Sequence, residues 1–178
     1  MQLKGVCTKP LAMLLEYMDA GNLYDYVHKH RTNITWDEIE SLALDIASGM
    51  KFLHSTTPPI IHRDLKSPNI LLKRETGRKY PVAKIADFGL SRGLVWSSSL
   101  HGKVVDNPVW LAPEILEAKS YSEKVDVYAF GVILWEMSTG QDFFHEVKFM
   151  SELEEKICKG ERPAIPSEAP AYYTSLIQ

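Results

Sequence analysis

The sequence contains no long hydrophobic stretch. Its apolar run Tyr128–Trp135 has eight residues, against the ~20 a membrane-spanning helix requires, so no membrane span is expected. Cysteine is scarce. Cys7 and Cys158 lie far apart and fit neither a zinc-ligand spacing nor a disulfide framework, so a reducing, cytoplasmic setting is expected. A basic stripe is also missing: the net charge is −3, with +2 over residues 1–90 and −5 over residues 91–178. Nothing there would track a phosphate backbone, which argues against a nucleic-acid partner. Repeats and low-complexity linkers are absent. The first fifteen residues alternate apolar and polar and carry Lys4 and Lys9, unlike a secretory signal.

What is present is globular. The 178 residues are 45% apolar and 24% charged, enough for one domain with a buried core. The first eighteen residues read as strands, with Lys9-Pro10 as a turn ahead of the apolar run Leu11–Leu15. Residues 36–54 carry a helical face of Trp36, Ile39, Leu42, Ala43, Ile46, Ala47, Met50 and Leu53. Thr35 and Glu38 predict a capping box at its start. Ile70–Leu72 and Val82–Ile85, separated by the turn-rich residues 75–78, predict a β-hairpin. Residues 124–138 are apolar nearly all round and predict a core helix stopped at Gly140. A third helix is expected over 148–159, ending at Gly160. Residues 162–170 hold three prolines and are expected to be extended. The stretch 91–107 reads as a long loop, a length usually reserved for function.

Three segments and one single residue carry chemistry: His62-Arg63-Asp64-Leu65-Lys66-Ser67-Pro68-Asn69, Asp87-Phe88-Gly89 and Ala112-Pro113-Glu114, with Asp126 at the head of the core helix. Phosphoryl transfer needs a metal-bridged triphosphate, an oriented hydroxyl and charge neutralisation. Mg²⁺ takes hard oxygen ligands and keeps several waters. Asn69 and Asp87 offer an amide oxygen and a carboxylate, provided the hairpin folds back to bring them together. Asp64 could accept a hydrogen bond from an attacking hydroxyl. Lys66 could place its ammonium near the transferring phosphate.

In order and spacing these motifs resemble the catalytic domain of a eukaryotic protein kinase. The segment Tyr121–Gly140, with Asp126 near its head, resembles the central helix of the kinase C-lobe. Leu15-Glu16-Tyr17-Met18 resembles the hinge, with Leu15 at the gatekeeper position. The resemblance implies an α+β fold in three parts: remnant N-lobe strands over 1–15, the hinge over 16–22 and an incomplete C-lobe over 23–178. It also implies ATP and Mg²⁺ as cofactors and a protein as substrate. Asp64 would be the catalytic base or hydroxyl positioner, and Lys66 would contact the γ-phosphate. Asn69 and Asp87 would bind Mg²⁺. Backbone groups of Glu16 and Met18 would meet adenine, Asn22 would lie near the ribose, and Leu71 would pack under the adenine. His62 and Phe88 would join the stacked hydrophobic spine, and Asp126 would anchor the catalytic-loop backbone. Lys66 is the Ser/Thr-kinase pattern, whereas Trp110–Glu114 and Val132–Glu136 are similar to tyrosine kinases. That mixture resembles the tyrosine-kinase-like group, which phosphorylates Ser and Thr. Residues 90–111 would be the activation segment, with Ser97, Ser98 and Ser99 as acceptors for an upstream kinase.

The sequence also departs from the family. No G-x-G occurs at any of its glycines, and no lysine precedes the hinge at the distance of the family's strand lysine. Lys84 stands beside Asp87-Phe88-Gly89 and is expected in the hairpin, not in that role. Asp106-Asn107-Pro108 replaces the usual Gly-Thr-Pro. Glu114 is expected to lack its arginine partner. The chain is therefore expected to be truncated at both ends, of marginal stability and weak in phosphate transfer. The alternative is a non-catalytic kinase fragment acting as a binding module. A small-molecule phosphotransferase fits less well, because that class lacks the combination of the last two motifs with a long loop between them. His28, His30, His54, His101 and His145 show no ligand spacing and read as surface or packing residues.

Overall fold

The computed structural model describes residues 1–30, 34–88, 92–93 and 108–177. Strands β1 (Leu3–Thr8) and β2 (Leu11–Leu15) form an antiparallel hairpin in which Thr8 pairs with Leu11 and Leu3 with Leu15. A connector leads to α1 (Leu23–Lys29), whose first turn is capped by the Asn22 side chain accepting from Asp25 N. The long helix α2 (Trp36–His54) follows. Next come the short strand β3 (Ile60–Ile61) and a 3-10 turn over Ser67–Asn69. The hairpin β4 (Ile70–Lys73) and β5 (Val82–Ile85) has Ile70 opposite Ile85 and Lys73 opposite Val82. Strand β6 (Arg92–Gly93) pairs antiparallel with β3. Past a 3-10 turn at Pro108–Trp110 lie α3 (Pro113–Leu116), α4 (Lys124–Thr139), α5 (Met150–Cys158) and α6 (Ala171–Ile177).

One core joins α2, α4, the β4–β5 hairpin and α6. Leu42, Ile46, Ile70, Leu72, Ile133 and Tyr173 are among its members. The helical face expected on α2 is the face buried there, with Leu42 and Ile46 fully covered. Gly49 lets α2 approach the hairpin: a Cβ at that position would sit 3.0 Å from Ile85 Cδ1. Helix α4 runs through the centre and ends at Gly140, where φ is +61°, a conformation that costs glycine little. A second cluster around Trp135, Phe143, Phe144 and Ile157 packs α5 against the other side of α4.

Three local expectations change. The capping box is half formed: Thr35 accepts from Glu38 N at 3.3 Å, but the Glu38 carboxylate turns away to accept from Tyr26 OH at 2.6 Å. The third helix starts at Met150 and not at residue 148, because Phe149 is extended at its N-cap. Helices α1 and α6 were not anticipated. Each has seven residues, too short to show a helical period. The β1–β2 hairpin is apolar yet uncovered, with Leu11 at 86% and Met13 at 70% exposure, in line with strands that lack most of their sheet. An edge of that kind is open to pairing. Among the described residues no helix is long and apolar enough to cross a membrane.

Candidate active site

The loop 62–69 links β3 to β4 and is held from beneath by α4. Asp126, in the first turn of that helix, has only 2% of its side chain exposed. Its Oδ2 accepts from His62 N at 2.8 Å and its Oδ1 from Arg63 N at 2.9 Å. The structure thus places Asp126 under the loop backbone, as the resemblance implies. Arg63 reaches φ +65° there, a backbone state that a non-glycine residue holds only when its surroundings enforce it. His54, at the end of α2, also reaches this carboxylate, with Nε2 2.8 Å from Oδ2. It is therefore more than a packing residue, contrary to the reading from spacing. A helix-end histidine gives no sequence signal of a partner 72 residues away.

Three side chains of the loop converge. Asn69 donates both from Nδ2 to the Asp64 carbonyl at 2.8 Å and to Asp64 Oδ2 at 3.0 Å. Lys66 Nζ lies 3.0 Å from Asp64 Oδ1. The Asn69 amide protons are thereby committed to Asp64, which leaves Oδ1 as the acceptor available to a cation. The hairpin folds back as required: Ala86 N donates to Asn69 O at 2.9 Å, so Asp87 follows directly on the residue tied to Asn69. Asp87 itself has φ +61°. His62 fastens the two segments together. Its Nε2 donates to Ala86 O at 2.9 Å, and its ring lies 5.1 Å from that of Phe88. An amide oxygen and a carboxylate at one hairpin end are hard donors suited to Mg²⁺. The described residues contain no cluster of three His, Cys, Asp or Glu able to hold a metal.

The connector 16–22 lies along β4. Ala20 N donates to Leu72 O at 3.0 Å and Leu72 N to Gly21 O at 2.8 Å, and Asn22 forms a bridge with Leu71. Asn22 and Leu71 are therefore adjacent. The Asn22 side chain, however, is occupied in capping α1, donating to Asp25 Oδ2 at 2.7 Å and accepting from Asp25 N at 2.8 Å. Leu15 ends β2 and Met18 is buried. Glu16 is bound by two lysines, Lys73 at 2.8 Å and Lys84 at 2.9 Å, which spacing alone did not reveal. Lys84 lies on β5, as expected.

The hydrogen bonds from Lys73 and Lys84 hold the Glu16 carboxyl down at about 2, below its usual 4.5. A depressed carboxylate contributes stability that is present above its unfolded value and lost as pH falls through the folded one. The attachment of Glu16 to the β4–β5 hairpin should therefore persist through pH 4.5 and fail only near about 2. A ¹³C titration of the Glu16 carboxyl would check this, and an ordinary midpoint would refute it.

Gly89, Ser97, Ser98, Ser99, His101, Asp106 and Asn107 lie outside the described residues. Among the described residues no ion pair to Glu114 is present. The Arg162 guanidinium donates instead to the carbonyls of Ile157 and Glu161 and lies 5.0 Å from the Tyr128 ring.

The loop 62–69 anchored on α4, beside a hairpin that returns Asp87 to it, accords with a protein-kinase domain. Residues 1–178 match the family model described as protein tyrosine and serine/threonine kinase, and the chain belongs to that family. It is 54% identical over 177 residues to the probable serine/threonine-protein kinase pats1 of Dictyostelium discoideum, covering 99% of this chain and 6% of that protein. It is 47% identical to the probable serine/threonine-protein kinase roco8 of the same organism, covering 98% of this chain and 10% of that protein. Cyclic GMP-binding protein C, also from Dictyostelium discoideum, is 47% identical, covering all of this chain and 7% of that protein. The chain thus spans at most a tenth of the length of these relatives.

Proposed function

We propose that this kinase domain transfers the γ-phosphate of ATP to Ser and Thr hydroxyls of protein substrates. The observation that carries the reading is the Asp64–Lys66–Asn69 constellation beside Asp87, with bonds of 2.8–3.0 Å inside it. Asp64 accepts the hydrogen bond of the substrate hydroxyl and holds it in line. Lys66 neutralises charge on the phosphoryl oxygens as they move between nucleotide and acceptor. Asn69 and Asp87 hold Mg²⁺, which when bound neutralises the triphosphate. Backbone groups of Glu16 and Met18 meet the adenine, with Leu15 and Leu71 against its faces and Asn22 toward the ribose. Residues 1–15 act as N-lobe strands, 16–22 as hinge and 23–178 as C-lobe. The sequence affinity with the tyrosine-kinase-like group supports Ser/Thr specificity, and the relatives named serine/threonine-protein kinases point the same way. The setting is cytoplasmic, and an upstream kinase acts on Ser97, Ser98 or Ser99.

One observation favours a second reading, a non-catalytic module with a kinase fold: the 178 residues contain no G-x-G. The deciding measurement is Mg²⁺-dependent transfer of phosphate from ATP to a mixed Ser/Thr/Tyr peptide library, with the modified residue identified. Phosphoserine or phosphothreonine supports the kinase reading. Absence of both nucleotide binding and transfer supports the module. Phosphotyrosine alone would overturn the Ser/Thr assignment.

A further inference from the structure

Apolar packing does little to hold the β1–β2 hairpin in place. None of the hydrophobic clusters among the described residues contains a residue of β1 or β2. Leu11, Met13 and Leu14 are 86%, 70% and 67% exposed. A two-stranded hairpin without apolar cover is marginal by itself. Its attachment is polar and runs through Glu16, the residue after the end of β2. The Glu16 N–H donates to Gln2 O at 2.8 Å, and Oε2 accepts from Gln2 N at 3.2 Å, which ties it back to the start of β1. The same carboxylate reaches the other hairpin. Oε1 accepts from Lys73 Nζ on β4 at 2.8 Å, and Oε1 and Oε2 accept from Lys84 Nζ on β5 at 3.0 and 2.9 Å. The Glu16 side chain is 10% exposed, against 32% and 26% for the two lysines. On β4 and β5, Ile70, Leu72, Ala83 and Ile85 turn into the core, so Leu71, Lys73 and Lys84 share the opposite face. Lys84 is the cross-strand partner of Leu71, and Leu15 immediately precedes Glu16. The ion pair therefore joins the neighbour of Leu15 to the partner of Leu71.

We propose that Glu16 is a positioning residue whose carboxylate latches the end of β2 onto the Leu71 face of the β4–β5 hairpin and so fixes the spacing between Leu15 and Leu71. A base held between those two leucines then enters a slot whose width Glu16 sets. That consequence rests on the kinase reading, whereas the latch itself does not. A single exposed ion pair contributes little, because holding two long side chains in one geometry costs entropy and water competes for both charges. The Glu16 latch differs on both counts. Its carboxylate is mostly covered, and its two cations stand on paired strands whose separation the β4–β5 ladder already fixes, so fewer degrees of freedom are lost when it closes. Neutralising Glu16 also leaves the two ammonium groups facing one another without the charge between them. The β1–β2 hairpin, with no apolar seat to fall back on, is then released from the β4–β5 face.

The test uses the whole chain and two readouts, amide hydrogen exchange and calorimetric titration with Mg·ATP. In wild type, added salt should speed exchange over residues 3–15, because salt screens a partly covered ion pair. Glu16→Gln should exchange there about fivefold faster than wild type already at low salt, the upper end for a pair of partial exposure, and should respond no further to salt. Exchange in α4 should be the same in both. Mg·ATP should bind Glu16→Gln about fivefold more weakly than wild type. The variant Lys73→Met/Lys84→Met should show the same two changes, and adding Glu16→Gln to it should change little, because both routes open one latch. Unchanged exchange over residues 3–15 in Glu16→Gln overturns the proposal. So does a rise that α4 shares, or losses that add in the triple variant. Faster local exchange at undiminished Mg·ATP affinity overturns it as well, since the slot would then not depend on the latch. Should the lysine variant fail to fold, the salt response of wild type and Glu16→Gln still decides. Absence of Mg·ATP binding in every form, with the expected exchange pattern, removes the kinase reading and leaves the latch standing. Equal Mg·ATP binding in every form, with exchange unaltered, does the reverse.

Discussion

Asp126→Ala is expected to destabilise the chain by about 3–5 kcal/mol, because it leaves two buried backbone N–H donors and a histidine ring without their common acceptor. Urea unfolding would measure it as a fall in midpoint at unchanged slope. The size follows from what the carboxylate holds: the backbone N–H groups of His62 and Arg63, and the His54 ring, at 2.8–2.9 Å. Each donor left buried without a partner costs about 1–3 kcal/mol, and the three share one acceptor, so their losses do not add in full. Asp126→Asn should fall between, because one oxygen remains to accept while the new amide N–H₂ opposes a donor. His54→Phe removes one of the three donors and should cost about 1–2 kcal/mol, since Asp126 keeps both backbone partners. A stability loss in Asp126→Ala no larger than in His54→Phe would show that the loop is held elsewhere.

The Asp126 hub marks where sequence reading succeeds and where it stops. Helix α2 was legible from end to end because nineteen residues give several turns of hydrophobic period, and α4 because its sixteen residues are apolar nearly all round and stop at a glycine. The β4–β5 hairpin was legible from two apolar runs around a turn. Its fold-back, on which the proximity of Asn69 and Asp87 depended, is visible only through the Ala86-to-Asn69 hydrogen bond. Helices α1 and α6 escaped because seven residues make only about two turns, too few for a hydrophobic period to repeat. In α6 the buried Tyr173, whose hydroxyl donates to Leu134 O at 2.8 Å, owes its place to α4 rather than to its own neighbours. The same reason hides His54 and the lysine pair on Glu16. Each is a polar contact across distant elements, and polar contacts leave no periodic trace. Glu38 shows the converse error. A local motif called for its carboxylate at the helix cap, and Tyr26, twelve residues upstream, took it instead.

Asp64→Asn is expected to lower phosphate transfer by about 10²–10⁴-fold, the range for removing a positioned acid–base group, while leaving the fold nearly untouched. Asp64 Oδ2 accepts from Asn69 and Oδ1 meets Lys66, both at 3.0 Å, and a quarter of the side chain is exposed. A partly exposed pair of this kind is worth about 0–1 kcal/mol, so the thermal midpoint should move little. Asparagine keeps the size but replaces one anionic oxygen with an N–H₂ that cannot accept the proton of an attacking hydroxyl. Asn69 and Asp87 are unchanged in this variant, so Mg²⁺-dependent nucleotide binding should persist, and the loss should fall on kcat rather than on KM for ATP. Asp87→Asn should do the opposite, with nucleotide affinity losing its dependence on Mg²⁺ before any effect on turnover is read. The pair of variants separates the hydroxyl-orienting role from the metal-holding one. Undiminished turnover in Asp64→Asn would remove Asp64 from the chemistry and leave the constellation a structural feature of the loop.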